Sequence, residues 1–249
     1  MAAGEREQER HYDRIADAYN AHYGDAYSRR YAARFIYEPM FAGVPLRGAR
    51  VLDAMCGNGE CTAYVRTQGA VVTGLDISEA QIAAYETKFP DCRALRGSAL
   101  DTRLPDGSVD CVAVVGGLHH VHPHVEDAVR EFHRVLKPGG FLVFSEPHRG
   151  SLPDAVRTRW YKHDPLFEDN EAAIDVDDLR QRCARGFECL HESYGGQLAY
   201  LLVFNSLVFR VPPRLKSLYA PLLLFIEKHL SRFASRRLSC FVVCQWRKR

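Results

Sequence analysis

From Arg50 onward, short β-branched runs and segments of helical period take turns along the chain. RVLDAM is followed by a helix over 59–68, AVVTGLDI by a helix over 79–88, and DCRALRG by a loop and VDCVAVV; a helix over 125–137 and GFLVFSEP complete the series. Strand and helix alternating at this pace predict a parallel sheet with helices on both faces. Past residue 150 the pattern thins: 175–185 reads as a helix, Phe187–Tyr194 as a strand and Leu238–Trp246 as the last strand. Between those two strands lie 43 residues carrying LAYLLVFNSLVF and LYAPLLLFI on either side of VPPR. That is longer than ordinary connections, so the block is expected to have structure of its own. Ahead of the alternation, residues 5–47 are charged and rich in tyrosine. Helical spacing runs through Tyr12, Ile15, Ala16 and Tyr19, then Tyr31 and Phe35, with an interruption near Gly24 and a stop at Pro39. The expected division is an N-terminal helical cap (1–47), a core (48–194 with 238–249) and a helical insertion (195–237).

Charge and cysteine usage narrow the classes. Thirty-three Lys and Arg against 31 Asp and Glu leave a net charge of +2 on 249 residues, which argues against nucleic acid as a partner. The balance is uneven: from Arg210 to the end there are ten basic residues and one acid, Glu227. The eight cysteines lie mostly within apolar runs and form no CxxC pair, as expected of buried free thiols in a reducing compartment. With no secretory leader pattern at the start and no run of membrane-spanning length, a soluble, cytoplasmic protein is expected.

The strongest local signal is Val51-Leu52-Asp53-Ala54-Met55-Cys56-Gly57-Asn58-Gly59, a strand entering a glycine-containing turn ahead of a helix. Glycines there let backbone approach a ligand closely, and the helix start offers free N–H groups. The next strand ends in Gly74-Leu75-Asp76, whose carboxylate suits the two hydroxyls of a ribose, so a nucleoside at the carboxyl ends of the strands follows. A dinucleotide cradle wants a third small residue where this chain has Thr62, which disfavours NAD(P) and the reductase reading.

Taken as an ordered set, these segments resemble the class I S-adenosylmethionine-dependent methyltransferases, in the small-molecule branch that includes quinone-biosynthesis enzymes. The resemblance rests on Tyr12-Asp13-Arg14-Ile15-Ala16-Asp17-Ala18-Tyr19, VLDAMCGNG, GLDIS, Ser98-Ala99, LPDGSVDCVAVVGGLHHV and RVLKPGGFLVFSEP, and covers roughly residues 10–147. It implies a Rossmann-like, seven-stranded, mostly parallel sheet in the order 3-2-1-4-5-7-6, the last strand antiparallel. It also implies roles in holding S-adenosylmethionine: Asp53, Cys56, Gly57 and Gly59 along the methionine part, Asp76 on the ribose and Ile77 on the adenine. Ser98 and Ala99 would flank the ring, Tyr12 and Tyr19 would close over the cofactor, and Gly116 and Gly117 would lie under the sulfonium. Met55 stands where the family prefers its first glycine, so a slightly different turn is expected.

Methyl transfer is an in-line displacement, so a protein contributes mainly by positioning, with a base when the nucleophile is a hydroxyl or a carbon. Candidate bases follow the strand ends: His119 and His120 after the fourth, Glu146 after the fifth, with His148 and His163 further on. The cluster of His119, His120, His122 and His124 shows no metal-ligand spacing with acidic partners, and no metal is expected. For the basic, apolar block at 195–237 three roles are open: packing on the sheet or on a twin subunit, an acceptor lid with a cationic rim for an anionic or amphipathic molecule, or contact with a membrane surface. The expected activity is methyl transfer to a small organic acceptor, O-methylation ahead of N or C, in secondary metabolism. The alternatives are a cofactor-binding protein with a non-methyl role, and a membrane-peripheral enzyme acting on a lipid or glycolipid.

Overall fold

The computed structural model describes residues 10, 13–14, 20–161 and 172–249. Seven strands form one sheet: β1 (Arg50–Ala54), β2 (Val71–Asp76), β3 (Arg93–Arg96), β4 (Val109–Val115), β5 (Leu136–Pro147), β6 (Phe187–Gly195) and β7 (Phe241–Lys248). Their order is β3-β2-β1-β4-β5-β7-β6. β1 to β5 pair in parallel, and β7 enters antiparallel between β5 and β6. The expected fold class and strand order are therefore observed.

Central strands of such a sheet are covered on both faces, which is why β1 and β4 read as continuous apolar runs. Successive side chains divide between two cores. Leu52, Val112, Val114, Phe144 and Trp246 pack on one side, with the apolar stripe of α4 (Val125–Val135) at Val125, Ala128, Val129, Phe132 and Val135. Helix α6 (Val176–Cys183) adds Val176 and Leu179 there. Val51, Cys111, Ala113, Val143 and Val243 point to the other side, toward α2 (Glu60–Thr67) and the two segments outside the alternation.

Those two segments form one roof. In the cap, α1 (Ala26–Ala32) runs on as a π-helical turn, Ala33–Tyr37, and a short helix, Glu38–Met40. In the insertion, a π-helical turn at Tyr200–Phe204 precedes α7 (Lys216–Leu230). Tyr31, Ile36 and Met40 share a core with Val203, Ala220 and Leu224. Buried polar contacts lock the joint. Lys216 Nζ donates to the His22 carbonyl at 2.6 Å, to Ser28 Oγ at 2.8 Å and to the Asp25 carboxylate. Tyr31 OH donates to Glu227 Oε1 at 2.9 Å, and the Gln197 and Ala199 N–H groups complete that carboxylate.

Two elements differ from the sequence expectation. β5 begins at Leu136, directly after α4, because Gly139 (φ +75°) and Gly140 let the chain bulge into the sheet before the apolar run begins. Helix α5 (Leu152–Tyr161) had no apolar periodicity to announce it, and Leu152 and Val156 are exposed. Within the insertion, the helical part of LAYLLVFNSLVF is centred on the π-helical turn Tyr200–Phe204. All eight cysteines are free thiols. No helix of the described residues is long and apolar enough to cross a membrane.

Candidate active site

The turn after β1 builds one end of a cleft. Gly57 (φ +51°) and Gly59 (φ +84°) take left-handed conformations, and a Cβ on Gly59 would meet the Phe89 and Tyr85 rings at 2.5–2.9 Å. Met55, expected to alter the turn, itself adopts φ +59°, so a side chain carries the conformation that glycine would take without strain. Asp53 Oδ2 accepts the Thr62 N–H at 2.9 Å and its hydroxyl at 2.6 Å, fixing α2 to the end of β1. Burial pushes the Asp53 carboxyl up to about 7, the Thr62 hydrogen bonds opposing. Thr62 is thus committed to the protein and stands where a dinucleotide cradle needs a small residue.

Asp76, at the end of β2, accepts the Gly57 N–H at 2.8 Å with Oδ2 and the Ser78 N–H at 3.0 Å with Oδ1. An ionised carboxylate has about four acceptor positions, so backbone N–H groups do not use them all and Asp76 keeps acceptor capacity for the cleft. Burial raises this carboxyl above the usual carboxylate range, against the lowering effect of the Ser78, Gly57 and Ile77 N–H groups. Beside it, Gln81 on α3 (Glu79–Lys88) is buried, and neither its amide nitrogen nor its oxygen has a hydrogen-bond partner. Its N–H donates to Ser78 Oγ, the cap of α3, but Asp76 takes the Ser78 N–H that the Gln81 side chain receives in a reciprocal capping box.

Where β4 and β5 end, Glu146 organises the turn. Its Oε1 accepts the Gly117 and Leu118 N–H groups, each at 2.8 Å, and its Oε2 lies 2.8 Å from His119 Nδ1. The carboxylate is fully buried and the His119 side chain 12% exposed. Desolvation pushes the Glu146 carboxyl up to about 7, against the Leu118 and Gly117 N–H groups. A carboxylate on Nδ1 keeps that nitrogen as the donor and leaves Nε2 as an acceptor. The His120 ring lies 3.9 Å from that of His119. Gly116 (φ +63°) has nothing within 4 Å of where a Cβ would stand.

The turn after β1, the end of β2 and the ends of β4 and β5 open onto one cleft of about 260 Å³. Asp53, Cys56, Gly57, Asp76, Ile77, Ser98, Ala99, Gly116, Gly117, His119, His120 and Glu146 are brought together there, whereas Gly59 supports the turn from outside the lining. Tyr12, Tyr19 and His163 lie outside the described residues. His148 is buried elsewhere, 3.1 Å from the Ser239 carbonyl. The roof completes the cleft with Ile36, Tyr37, Tyr200, Phe204, Leu207 and Val208, an apolar and aromatic end that no sequence motif announced. Gln81 was also unforeseen, although the Ser78-x-x-Gln81 spacing is a local signal for its position. Among the described lining residues Arg29, from the cap, is the one Lys or Arg, and the cations of the insertion do not reach the cleft.

The donor set fits a nucleoside-bearing cofactor at the β1–β2 end. The free acceptor positions of Asp76 match vicinal hydroxyls, the Gln81 amide is unsatisfied, and Gly116 leaves open space toward the apolar end. Residues 52–144 match the family model described as a methyltransferase domain. An uncharacterized methyltransferase of Synechocystis is 35% identical over 105 residues, 42% of this chain and 50% of that one. A demethylmenaquinone methyltransferase of Lysinibacillus sphaericus is 31% identical over 112 residues, 43% of this chain and 47% of that one. The chain thus spans about half the length of the curated relatives it matches. Among solved structures, a Thermotoga maritima protein described as a possible histamine N-methyltransferase superposes with TM-score 0.64 at 18% identity, over 96% of this chain and 99% of that one. The [4+2]-cyclase SpnF superposes with TM-score 0.58 at 20% identity, over 95% and 81%. Residues 52–144 thus carry the methyltransferase-domain match, and the chain as a whole shares its fold with solved structures described as S-adenosylmethionine-dependent methyltransferases.

Proposed function

We propose that the protein transfers a methyl group from S-adenosylmethionine to the hydroxyl of a small organic acceptor with an apolar or aromatic body. The observation that carries this reading is the Glu146–His119 pair, standing at the strand ends between the β1–β2 turn and the aromatic roof. When bound, S-adenosylmethionine supplies an electrophilic methyl group. Asp76 would hold the ribose hydroxyls with its free acceptor positions, Gln81 would add an amide contact beside it, and Ile77, Ser98 and Ala99 would border the base. Glu146 holds the proton of His119 on Nδ1, which makes Nε2 the nitrogen that would take the hydroxyl proton of an acceptor. Tyr37, Tyr200 and Phe204 would pack the acceptor body. The base role falls to His119.

The cyclase structure gives one ground for a second reading, in which this fold and cofactor serve a reaction other than methylation. Label transfer separates the two. Protein shown by calorimetry to bind S-adenosylmethionine is incubated with the methyl-labelled cofactor and cell extract, then separated into aqueous small molecules, organic-soluble lipids and macromolecules. Label in a small-molecule or lipid fraction supports methyl transfer and gives the acceptor for mass spectrometry. Binding without label in any fraction favours the second reading. An Asp76→Ala variant that binds the cofactor as tightly as wild type would remove the ribose assignment.

A further inference from the structure

Helix α7 is amphipathic the wrong way round for a helix that has only the protein to pack on. It turns Lys216, Ala220, Leu224 and Glu227 inward, while Leu218 is 80% exposed and Leu222 and Phe225 are each 62% exposed. Leu215 just before it and Phe233 just after extend the exposed apolar set, at 41% and 76%. Spacings of three and four residues put Leu215, Leu218, Leu222 and Phe225 along one line of the helix surface, roughly 15 Å long at 1.5 Å per residue.

Charge decides what covers this line. Arg214 precedes this line in the chain and Lys228 and Arg232 follow it, all exposed and with no ion-pair partner among the described residues. The one acid of the insertion, Glu227, is fully buried, and the Tyr31 hydroxyl and the Gln197 and Ala199 N–H groups occupy its oxygens. Lys228 and Arg232 also line a groove of about 470 Å³ beside the helix, together with Arg34, which is bound to Glu38 at 2.6 Å. A second copy is a poor occupant, since a two-fold interface would set this uncompensated cationic rim against itself. Nucleic acid is no better, because the exposed side chains are mainly leucines, which give bases nothing to stack on. A bilayer with anionic headgroups satisfies both features: leucines and phenylalanines enter the boundary with the acyl chains, and the cations reach the phosphates.

We infer that the outer face of α7 docks the protein on an anionic membrane surface, with Leu218, Leu222 and Phe225 inserted and Arg214, Lys228 and Arg232 on the headgroups. The inner face of the same helix packs on the roof of the cleft, where Tyr219 OH donates to the Leu202 carbonyl at 2.8 Å and Ala220 and Leu224 share a core with Tyr31 and Val203. Docking therefore sets the bilayer one helix away from the apolar end of the cleft, within reach of an acceptor that partitions into membranes. The docking itself does not depend on the methyl-transfer reading.

Flotation of the whole protein with vesicles of phosphatidylcholine, alone or mixed with phosphatidylglycerol, tests it. Wild type should float with the mixed vesicles at low salt, far less with phosphatidylcholine alone, and be released by high salt as headgroup charge is screened. Lys228→Gln with Arg232→Gln should lower partitioning onto mixed vesicles about thirty-fold. Leu222→Asp with Phe225→Asp should lower it at least about ten-fold. These side chains are exposed, so the variants should keep the wild-type melting temperature, which separates lost docking from lost folding. Wild type that remains unbound on mixed vesicles at low salt overturns the inference. So does a dimer in solution that Leu222→Asp with Phe225→Asp converts to monomer while vesicle binding is unchanged.

Discussion

Glu146 shows how a residue's chemistry is set by what its atoms already hold. Its Oε1 accepts two backbone N–H groups, so Oε2 is what holds His119. Glu146→Gln keeps the first function by accepting with the amide oxygen and inverts the second, because an amide NH2 facing Nδ1 makes that nitrogen the acceptor and leaves the proton on Nε2. Turnover should fall about 10²–10⁴-fold while cofactor affinity by calorimetry stays unchanged. A variant of wild-type activity would take the base role from His119. Gln81 makes a converse case: its buried amide has no partner, and Gln81→Leu removes that cost. Thermal melting of the free protein should show a gain of about 1 kcal/mol, and calorimetry a weaker affinity for the cofactor. His119, Glu146 and Asp76 could be named as candidates from the sequence because Asp76 ends β2, Glu146 stands at the end of β5 and His119 follows β4, strands that their β-branched runs announce. Gln81 was not, since what matters is the lack of a partner, and a sequence does not show which hydrogen bonds are taken.

At the level of elements, legibility followed the range of the contacts. Helix α3 and strand β4 begin and end within a residue or two of where period and capping residues put them, because those signals are local. The roof is different. The cap and the insertion meet across nearly two hundred residues of sequence, and Lys216, read as part of a cationic block, is buried against Asp25, Ser28 and the His22 carbonyl. Burial lowers the Lys216 ammonium, and Asp25 opposes that by hydrogen bonding. Lys216→Met removes one partner of this pair. It should cost about 2–3 kcal/mol, less than a fully enclosed pair, because the Asp25 side chain is 21% exposed and can rehydrate. Denaturant unfolding measures the loss. Limited proteolysis should show cleavage near residues 20–30 before the sheet yields, since α1 has lost its tether to α7.

For the whole molecule, the buried carboxyls of the site make an unusual demand on stability. Asp53 is raised by burial to about 7, from 3.8 when free, and Glu146 to about 7, from 4.5. A group whose folded pKa exceeds its unfolded one binds its proton more tightly in the fold. Its stabilising effect is complete below the unfolded pKa and is lost as pH rises through the folded one. Between about pH 4 and pH 7 both groups therefore make the protein less stable as pH rises. His22, His122, His133 and His148 act the other way, each lowered by burial, so their contribution is present above about 6.5 and lost as pH falls below it. A wild-type pH profile mixes the two, and comparison with a variant separates them. Asp53→Asn keeps an oxygen for the Thr62 N–H and hydroxyl, leaves the histidines alone and removes the titration. Relative to wild type it should gain stability as pH rises from about 4 to about 8, by on the order of 4 kcal/mol for a shift of this size. Urea unfolding at a series of pH values reads this difference directly. A difference that stays flat across that window would mean Asp53 is ionised in the fold throughout, held so by Thr62 despite its burial.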